Sequence, residues 1–389
     1  MLMLFLKRKL FFVGFICSVL PQTSLASAAP DYSIHQEYTS TRALGMGNAF
    51  SAVVDDHSAL FYNPAALALR KDGQVRMFLR AGISDNWLDT ADDIDAAGDD
   101  DLKVAQALEK RYGEHLYSRV PTIGAMWVRP NWGVAFIPAD LSIDGTIARQ
   151  LGPSIGVNAY LDSTLAYGRA WRVGSKKNKR GPLYAGVTLK ALHRAYYNDV
   201  ISSASLAQDD ELFDEKKADE GMTVDADIGF LWIPTFKPKT FFGKYAKPTF
   251  SLVVRNVADY GFPMQFEIFN EDNPDEPPKL ERRVDAGVKL EAPRLWKFTP
   301  KFAVEMRDMG HRNWTARKGF HAGAEFYWKM FNWWKGHWSA GVNQGYWTAG
   351  FGARLGWFQL DLATWGEEVG TEDTETESRR YIVEMSLDF

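Results

Sequence analysis

Apolar and polar residues alternate along most of the chain with a period of two rather than 3.6. Within 222–232, Val224, Ala226, Ile228, Phe230 and Trp232 alternate with Asp225, Asp227 and Gly229. Within 284–291, Val284, Ala286, Val288 and Leu290 alternate with Asp285, Gly287, Lys289 and Glu291. Stretches 183–191 and 319–330 repeat the pattern, setting Tyr184, Thr188 and Lys190, then His321, Glu325 and Tyr327, against apolar neighbours. The last stretch sets Tyr381, Val383, Met385, Leu387 and Phe389 against Glu384, Ser386 and Asp388. Successive side chains of a pleated strand point to opposite faces, so each stretch predicts a strand with one apolar and one polar surface.

A soluble sandwich and a transmembrane barrel share this pattern and differ in where the apolar face goes. Strands of about nine to eleven residues suit a tilted membrane crossing. Ionised groups of both signs and glycines recur on the polar faces, as a barrel interior tolerates. Trp232, Trp296, Trp328, Trp333, Trp334, Trp357 and Trp365 fall at strand ends, where aromatic girdles form. Connections also alternate in length. Those at 84–119, 197–221, 259–281, 308–318 and 366–378 are long and mostly polar. Those at 129–131, 174–182, 293–298, 332–336 and 355–357 are short, with 234–247 the exception. The pattern predicts an all-β fold, a transmembrane antiparallel barrel of about fourteen strands over 73–389. Pro138 predicts a bulge in the 132–150 strand.

Composition narrows the function. The 389 residues carry 24% charged and 14% aromatic side chains and a net charge of −4, which excludes a disordered chain, a helical membrane bundle and a dedicated nucleic-acid binder. Residues 1–28 read as a secretory leader. Lys7, Arg8 and Lys9 precede an apolar core over 10–20, and Ala26-Ser27-Ala28 offers a cleavage site. Removing it takes away three positive charges, moving the net charge from −4 to −7. It also takes the single cysteine, Cys17, so thiolate chemistry, disulfides and zinc–thiolate sites are not expected in the mature chain.

Between leader and barrel, 29–72 does not alternate. It contains Gly45, Gly47 and Ala49 at alternate positions, then Asp55-Asp56, then Asn63-Pro64-Ala65. Small residues allow close approach to a wall, Asn63-Pro64 starts a turn, and Asp55 or Asp56 is placed to cap a short helical turn. A segment of this kind sits either outside the barrel or within it, and the lumen of fourteen strands is wide enough to take it as a plug.

The order of these motifs resembles the hatch of FadL-type outer-membrane proteins, a family that includes TodX-like aromatic-hydrocarbon transporters and, more distantly, PorV-like barrels. Gly341–Gly345 and Ala349–Gly352 resemble late hairpins of the PorV-like branch. The resemblance implies a fourteen-strand barrel in a Gram-negative outer membrane, surrounded by lipid. It implies passive uptake of small hydrophobic ligands (long-chain fatty acids or aromatic hydrocarbons), with exit through the wall. It also implies that barrel-assembly machinery reads the terminal aromatic Phe389. The alternative it implies is a non-transporting barrel that anchors or shuttles a secreted protein. Candidates facing the lumen are Phe78, Tyr184 and Tyr327 along an apolar path, with Lys190, Asp225, Asp227, Asp285, Lys289, Glu305, Arg307, Glu325 and Asp361 among the charges. Arg354, Glu384 and Asp388 belong with them. Pairing with one another and with the hatch is expected, since buried ions need partners.

Other chemistry finds little support. Asp55-Asp56-His57 are consecutive residues, poorly placed to converge on one metal. The acidic run 92–101 lacks the spacing of a calcium loop. Gly45 and Gly47 lack the third glycine and preceding strand of a dinucleotide fingerprint. The seven histidines are scattered along the chain, and no triad order can be assembled from them. Neither an enzyme nor a cofactor is expected.

Overall fold

The computed structural model describes residues 29, 31–149, 152–174, 180–208, 215–237, 239–265, 268–270, 274–331, 333–371 and 374–389. The leader expected over 1–28 lies outside them. The strands are β1 (Gln74–Ser84), β2 (His115–Arg129), β3 (Trp132–Arg149), β4 (Pro153–Val173), β5 (Leu183–Ser202), β6 (Asp219–Trp232) and β7 (Lys247–Arg255). They continue with β8 (Arg283–Glu291), β9 (Phe298–Met309), β10 (Phe320–Lys329), β11 (Trp334–Asn343), β12 (Tyr346–Leu355), β13 (Phe358–Glu368) and β14 (Glu377–Asp388). Each pairs antiparallel with its neighbours in sequence, and β1 pairs with β14, giving a closed barrel of fourteen strands without a free edge. Phe389 fastens that closure, exchanging backbone hydrogen bonds with Val75 at 2.9 and 3.1 Å.

The two faces separate as alternation demands. On β14, Tyr381, Met385 and Leu387 are exposed while Glu384, Ser386 and Asp388 are buried. On β6, Val224 and Phe230 are exposed while Asp225 and Asp227 are buried. A sandwich buries its apolar set. This ring buries the polar set and presents the apolar set outward, an arrangement that hydrocarbon covers.

Strand length departs from the expected nine to eleven. β2, β3, β4 and β5 have 15, 18, 21 and 20 residues. Both ends of 197–221 and the end of 84–119, expected as loop, are therefore wall. The added length is roofed by helices: α3 (Trp87–Ala97), α4 (Asp101–Glu109) and α5 (Ser203–Ala207) follow two short helices of the N-terminal segment, α1 (Thr41–Gly45) and α2 (Ala59–Tyr62). Val104 and Leu108 of α4 and Ala207 of α5 pack on Leu116, Ile147, Ile155 and Val157. Asp100 caps α4 by accepting from the Leu102 and Lys103 amides at 3.1 and 3.3 Å. Here the chain's own helices cover apolar wall residues, so a strand runs past the length a bilayer alone dictates.

The tryptophan belt is smaller than expected. Trp232, Trp296, Trp333, Trp334 and Trp357 are exposed, but Trp328 and Trp365 are buried. Trp328 packs edge-on against Trp334, with centroids 5.6 Å apart. Trp365 shares the face of Asp361, lies against Tyr117 at 6.2 Å, and donates from Nε1 to Glu367 Oε2 at 2.9 Å.

Candidate functional site

Residues 31–70 form no strand. They comprise α1, α2 and a 3₁₀ turn, Pro64–Leu69. Their partners lie all round the ring. Arg42 donates to Glu325 on β10 at 2.6 and 2.8 Å, and Thr41 Oγ1 to Glu384 on β14 at 2.9 Å. The Ser51 amide donates to Glu305 on β9 at 2.9 Å, and Ser51 Oγ bonds Ser251 on β7 at 2.7 Å. His35 meets Asp162 on β4 at 2.9 Å. One segment reaches strands on opposite sides of a closed ring only through the space they enclose.

The sequence motifs of this segment have separate physical tasks. A Cβ on Gly45 would stand 2.5 Å from the Gly350 Cα, and Gly47, at φ 65°, adopts a conformation side chains rarely take. Gly323 and Gly341 on the wall answer with equally close approach to Met46 and Gly47. The early glycine pair and the late glycine-rich hairpin therefore touch each other, backbone to backbone. Ala49 is fully buried beside them. Asp55 and Asp56 each accept from Arg42 Nη1 at 2.7 Å, Asp55 also pairs with Lys301 at 2.7 Å, and Asp56 accepts from the Ser58 amide at 2.9 Å. Asn63 caps the 3₁₀ turn through the Ala65 amide at 3.1 Å, with Pro64 at its first position. Its side chain also donates to the Phe230 carbonyl at 3.2 Å, opposite Gly229. Among the described residues, no group of three or more metal-ligating side chains converges.

The lumen charges form a paired lattice. Lys190 lies 2.8 Å from Asp227, and Asp225 accepts from the Ala226 and Ala258 amides at 2.6 and 2.9 Å. Asp285 pairs with Arg255 at 2.9 Å, and Arg307 donates to the Asn48 carbonyl at 2.7 Å. Asp361 shares Arg76 with Glu384 and Asp388, at 2.8, 2.5 and 3.2 Å. Lys289 is partly exposed, 3.5 Å from Glu291, and Arg354 reaches Asp388 at 3.5 Å. Ions left alone in such an interior cost several kcal/mol each. Arg42, Arg76, Arg80, Arg119 and Asp140 escaped the sequence reading. Alternation puts Arg76 and Arg80 on the face of Phe78, but their partners lie on strands remote in sequence.

One seam of the wall loses its ladder midway. β2 and β3 pair from His115–Thr146 to Arg119–Ser142, and again from Ala125–Phe136 to Arg129–Trp132, in the same register. Residues 120–124 and 137–141 between these runs have no ladder partner across the seam. Each strand also shifts register against its other neighbour here, β2 opposite Arg80–Gly82 and β3 between Ile137 and Asp140. Pro121 and Pro138 occupy the two irregular stretches. Proline lacks the N–H a ladder needs and is confined in sheets to edges and bulges. The bulge expected at Pro138 is thus present, with a second one facing it.

Outward, the seam is rimmed by exposed Val120, Pro121, Ile123, Phe136 and Ala139. Inward, Asp140 is buried between two cations, bonding Arg80 and lying 3.1 Å from Arg119. It also accepts from Thr122 Oγ1 at 3.1 Å. Arg80 and Arg119 both reach Thr39 of the N-terminal segment, at 2.6 and 2.8 Å. Phe78 stands beside this latch, packed over Gly124 and under Arg80. Next to it, Ile137, Met126, Tyr38 and Phe61 belong to one apolar cluster shared by wall and segment.

Two cavities lead to the seam from the long-loop end. One of about 300 Å³ lies among Tyr32, His115, Thr146, Asn158 and Val369. A smaller one of about 50 Å³ shares Ser33 and Asp144 with it and reaches Thr39, Arg119 and Ser142 behind the seam. Ile34, Leu44, Tyr117 and Trp365 mix with these polar groups. Neither cavity touches Phe78, Tyr184 or Tyr327, the residues expected along the path. Tyr184 and Tyr327 sit at the short-turn ends of β5 and β10 instead.

No protein-family model matches the chain, and no curated protein matches it. Among solved structures, the chain is similar to the CymD monoaromatic hydrocarbon channel, at 9% identity and a TM-score of 0.48 over 89% of this chain and 96% of that one. It is similar to the toluene transporter TbuX of Ralstonia pickettii, at 10% identity and a TM-score of 0.48 over 91% and 99%. A FadL homologue of Pseudomonas aeruginosa is aligned at 8% identity and a TM-score of 0.33, over 94% and 99%.

Proposed function

We propose that this chain is an outer-membrane barrel for passive uptake of small hydrophobic molecules. In this reading residues 29–72 act as a hatch and the β2–β3 seam is the exit. The interrupted seam carries the reading. A water-filled pore gives an apolar solute no reason to enter, whereas each buried CH₂ favours an apolar route by about 0.8 kcal/mol. The solute enters at the long-loop end, passes the two cavities, meets the hatch at Thr39 and leaves sideways between exposed Val120, Ile123 and Phe136. Motif order in the sequence, with its resemblance to FadL-type hatches, supports the same assignment. Short turns face the periplasm and long loops the exterior, the usual asymmetry of such barrels.

A cysteine-free mature chain makes the test direct. Val120→Cys with Leu141→Cys places one thiol on each lip of the seam, and a short bis-maleimide ties the lips together. Uptake of labelled toluene or oleate by a deletion strain carrying this variant is expected to collapse on cross-linking and to persist when only one cysteine is present. Undiminished uptake after complete cross-linking would overturn the lateral route.

A further inference from the structure

Residues 232–247 are the one long connection at the short-turn end, and neither the lumen nor the seam uses them. They contain Lys237, Lys239, Lys244 and Lys247 and no acidic residue. Phe236, Phe241, Phe242 and Tyr245 are all exposed there, Phe241 at 65%. α6 (Phe241–Lys244) presents this cluster, capped by Thr240 through the Gly243 amide at 3.2 Å. Beside it, Trp232 stacks on Phe250 with centroids 5.4 Å apart, facing outward from the wall. Among the described residues, no ion pair is formed by any of the four lysines, and Lys244 Nζ lies 4.7 Å over the Tyr245 ring.

The described end of the β4–β5 connection, 180–182, adjoins this one. The Ile233 and Thr235 amides donate to the carbonyls of Pro182 and Arg180 at 3.0 and 3.3 Å. Gly181, at φ 102°, permits this approach, since a Cβ there would strike the 233–235 backbone. The long loops of the opposite end are acidic at 84–119, 197–221, 259–281 and 366–378, with 308–318 the exception. Apolar rings directed at a bilayer interface, beside Lys237, Lys239, Lys244 and Lys247, which form no ion pair among the described residues, suit a phosphate-bearing lipid head with its acyl chains.

We propose that this rim is a docking surface for anionic phospholipid of the inner leaflet. The inference rests on the membrane orientation given above. The test is reconstitution of the full barrel into vesicles of phosphatidylcholine with or without phosphatidylglycerol, followed by native mass spectrometry of retained lipid. The native chain is expected to retain phosphatidylglycerol preferentially. Replacing Lys237, Lys239 and Lys244 by Gln should weaken that preference roughly fivefold per lysine. Phe241→Ser with Phe242→Ser should lower total lipid retention without altering the choice of head group. Equal retention of both lipids by a folded, inserted native barrel overturns the proposal. So does binding of a poly-glutamate peptide to the solubilised barrel without any lipid preference, which would assign the rim to an acidic polypeptide. A chain that fails to insert into either vesicle would instead contradict the membrane reading itself.

Discussion

The β2–β3 and β6–β7 seams are both places where a ladder stops short, and they are treated in opposite ways. β6 and β7 pair only from Ile228–Val254 to Trp232–Phe250. Above that point the β7–β8 loop closes the wall. Glu220 accepts from the Ile268, Phe269 and Asn270 amides at 2.8–3.0 Å, Met222 bridges Met264, and Phe262 is buried with Leu192 and Leu280. At β2–β3 no loop intervenes. The inner side is latched by side chains and the outer side is left to apolar residues. A missing ladder alone therefore does not make an opening. What distinguishes the two is whether backbone groups are satisfied by another segment or replaced by prolines and charges.

The largest effect is expected at the latch. Asp140→Ala leaves Arg80 and Arg119 without their buried carboxylate, and removing one partner of a buried pair costs about 3–5 kcal/mol. Heat-modifiable gel mobility should show the folded band lost at markedly lower temperature, whereas Asp140→Asn should retain part of the stability.

A smaller loss should convert the covered seam into something like the uncovered one. Glu220→Ala strands three amides, of which only that of Asn270 is buried and costs about 1–3 kcal/mol when unpaired. Planar-bilayer recordings should then show added conductance that the native chain lacks, and a silent variant would mean the loop closes the wall without this carboxylate.

The reverse change is gentler on stability. Pro121→Ala with Pro138→Ala restores two donors to the β2–β3 ladder, each hydrogen bond worth about 0.5–1.5 kcal/mol. The variant should melt slightly later and carry less solute, separating stability from transport in one protein.

Smallest is a pH effect on the loop that covers β6–β7. Burial pushes Glu281 up, but the Arg312 amide at 2.6 Å, the Arg312 guanidinium and His311 more than offset this and hold it below its ordinary value of 4.5. A depressed carboxyl stabilises above its unfolded value and loses that contribution as pH falls through the folded one. Hydrogen exchange at the Arg312 amide should therefore quicken only as pH drops below about 4.5, and Glu281→Gln should abolish the dependence.

Much of this was legible before any coordinates. Alternation at Val224–Trp232 or Tyr381–Phe389 is a local property and reports each strand's faces directly. Pro138 announced half of the interrupted seam. Its counterpart Pro121 falls just past the 84–119 connection, where a proline reads as the start of a strand rather than as a bulge, whereas β2 begins at His115 with its upper residues covered by α4. Trp365 was misplaced for a related reason: an aromatic at a strand end reads as a girdle residue, and only its parity with Asp361 betrays that it points inward. The latch was invisible because Arg80 on β1 and Asp140 on β3 meet across β2, and which residues face each other there depends on the register shifts of both pairings rather than on a local pattern.

Gly45 and Gly47 rest on Gly350, Gly341 and Gly323 with no side chain between the two backbones. Such a fit leaves no lubricating layer, and Arg42, Thr41 and Ser51 anchor the same stretch to β10, β14, β9 and β7. Wholesale withdrawal of this stretch is thereby a poor candidate for a gating motion. The fit also ties assembly to chronology: the filling must be in place before the last staves of the cask are drawn shut.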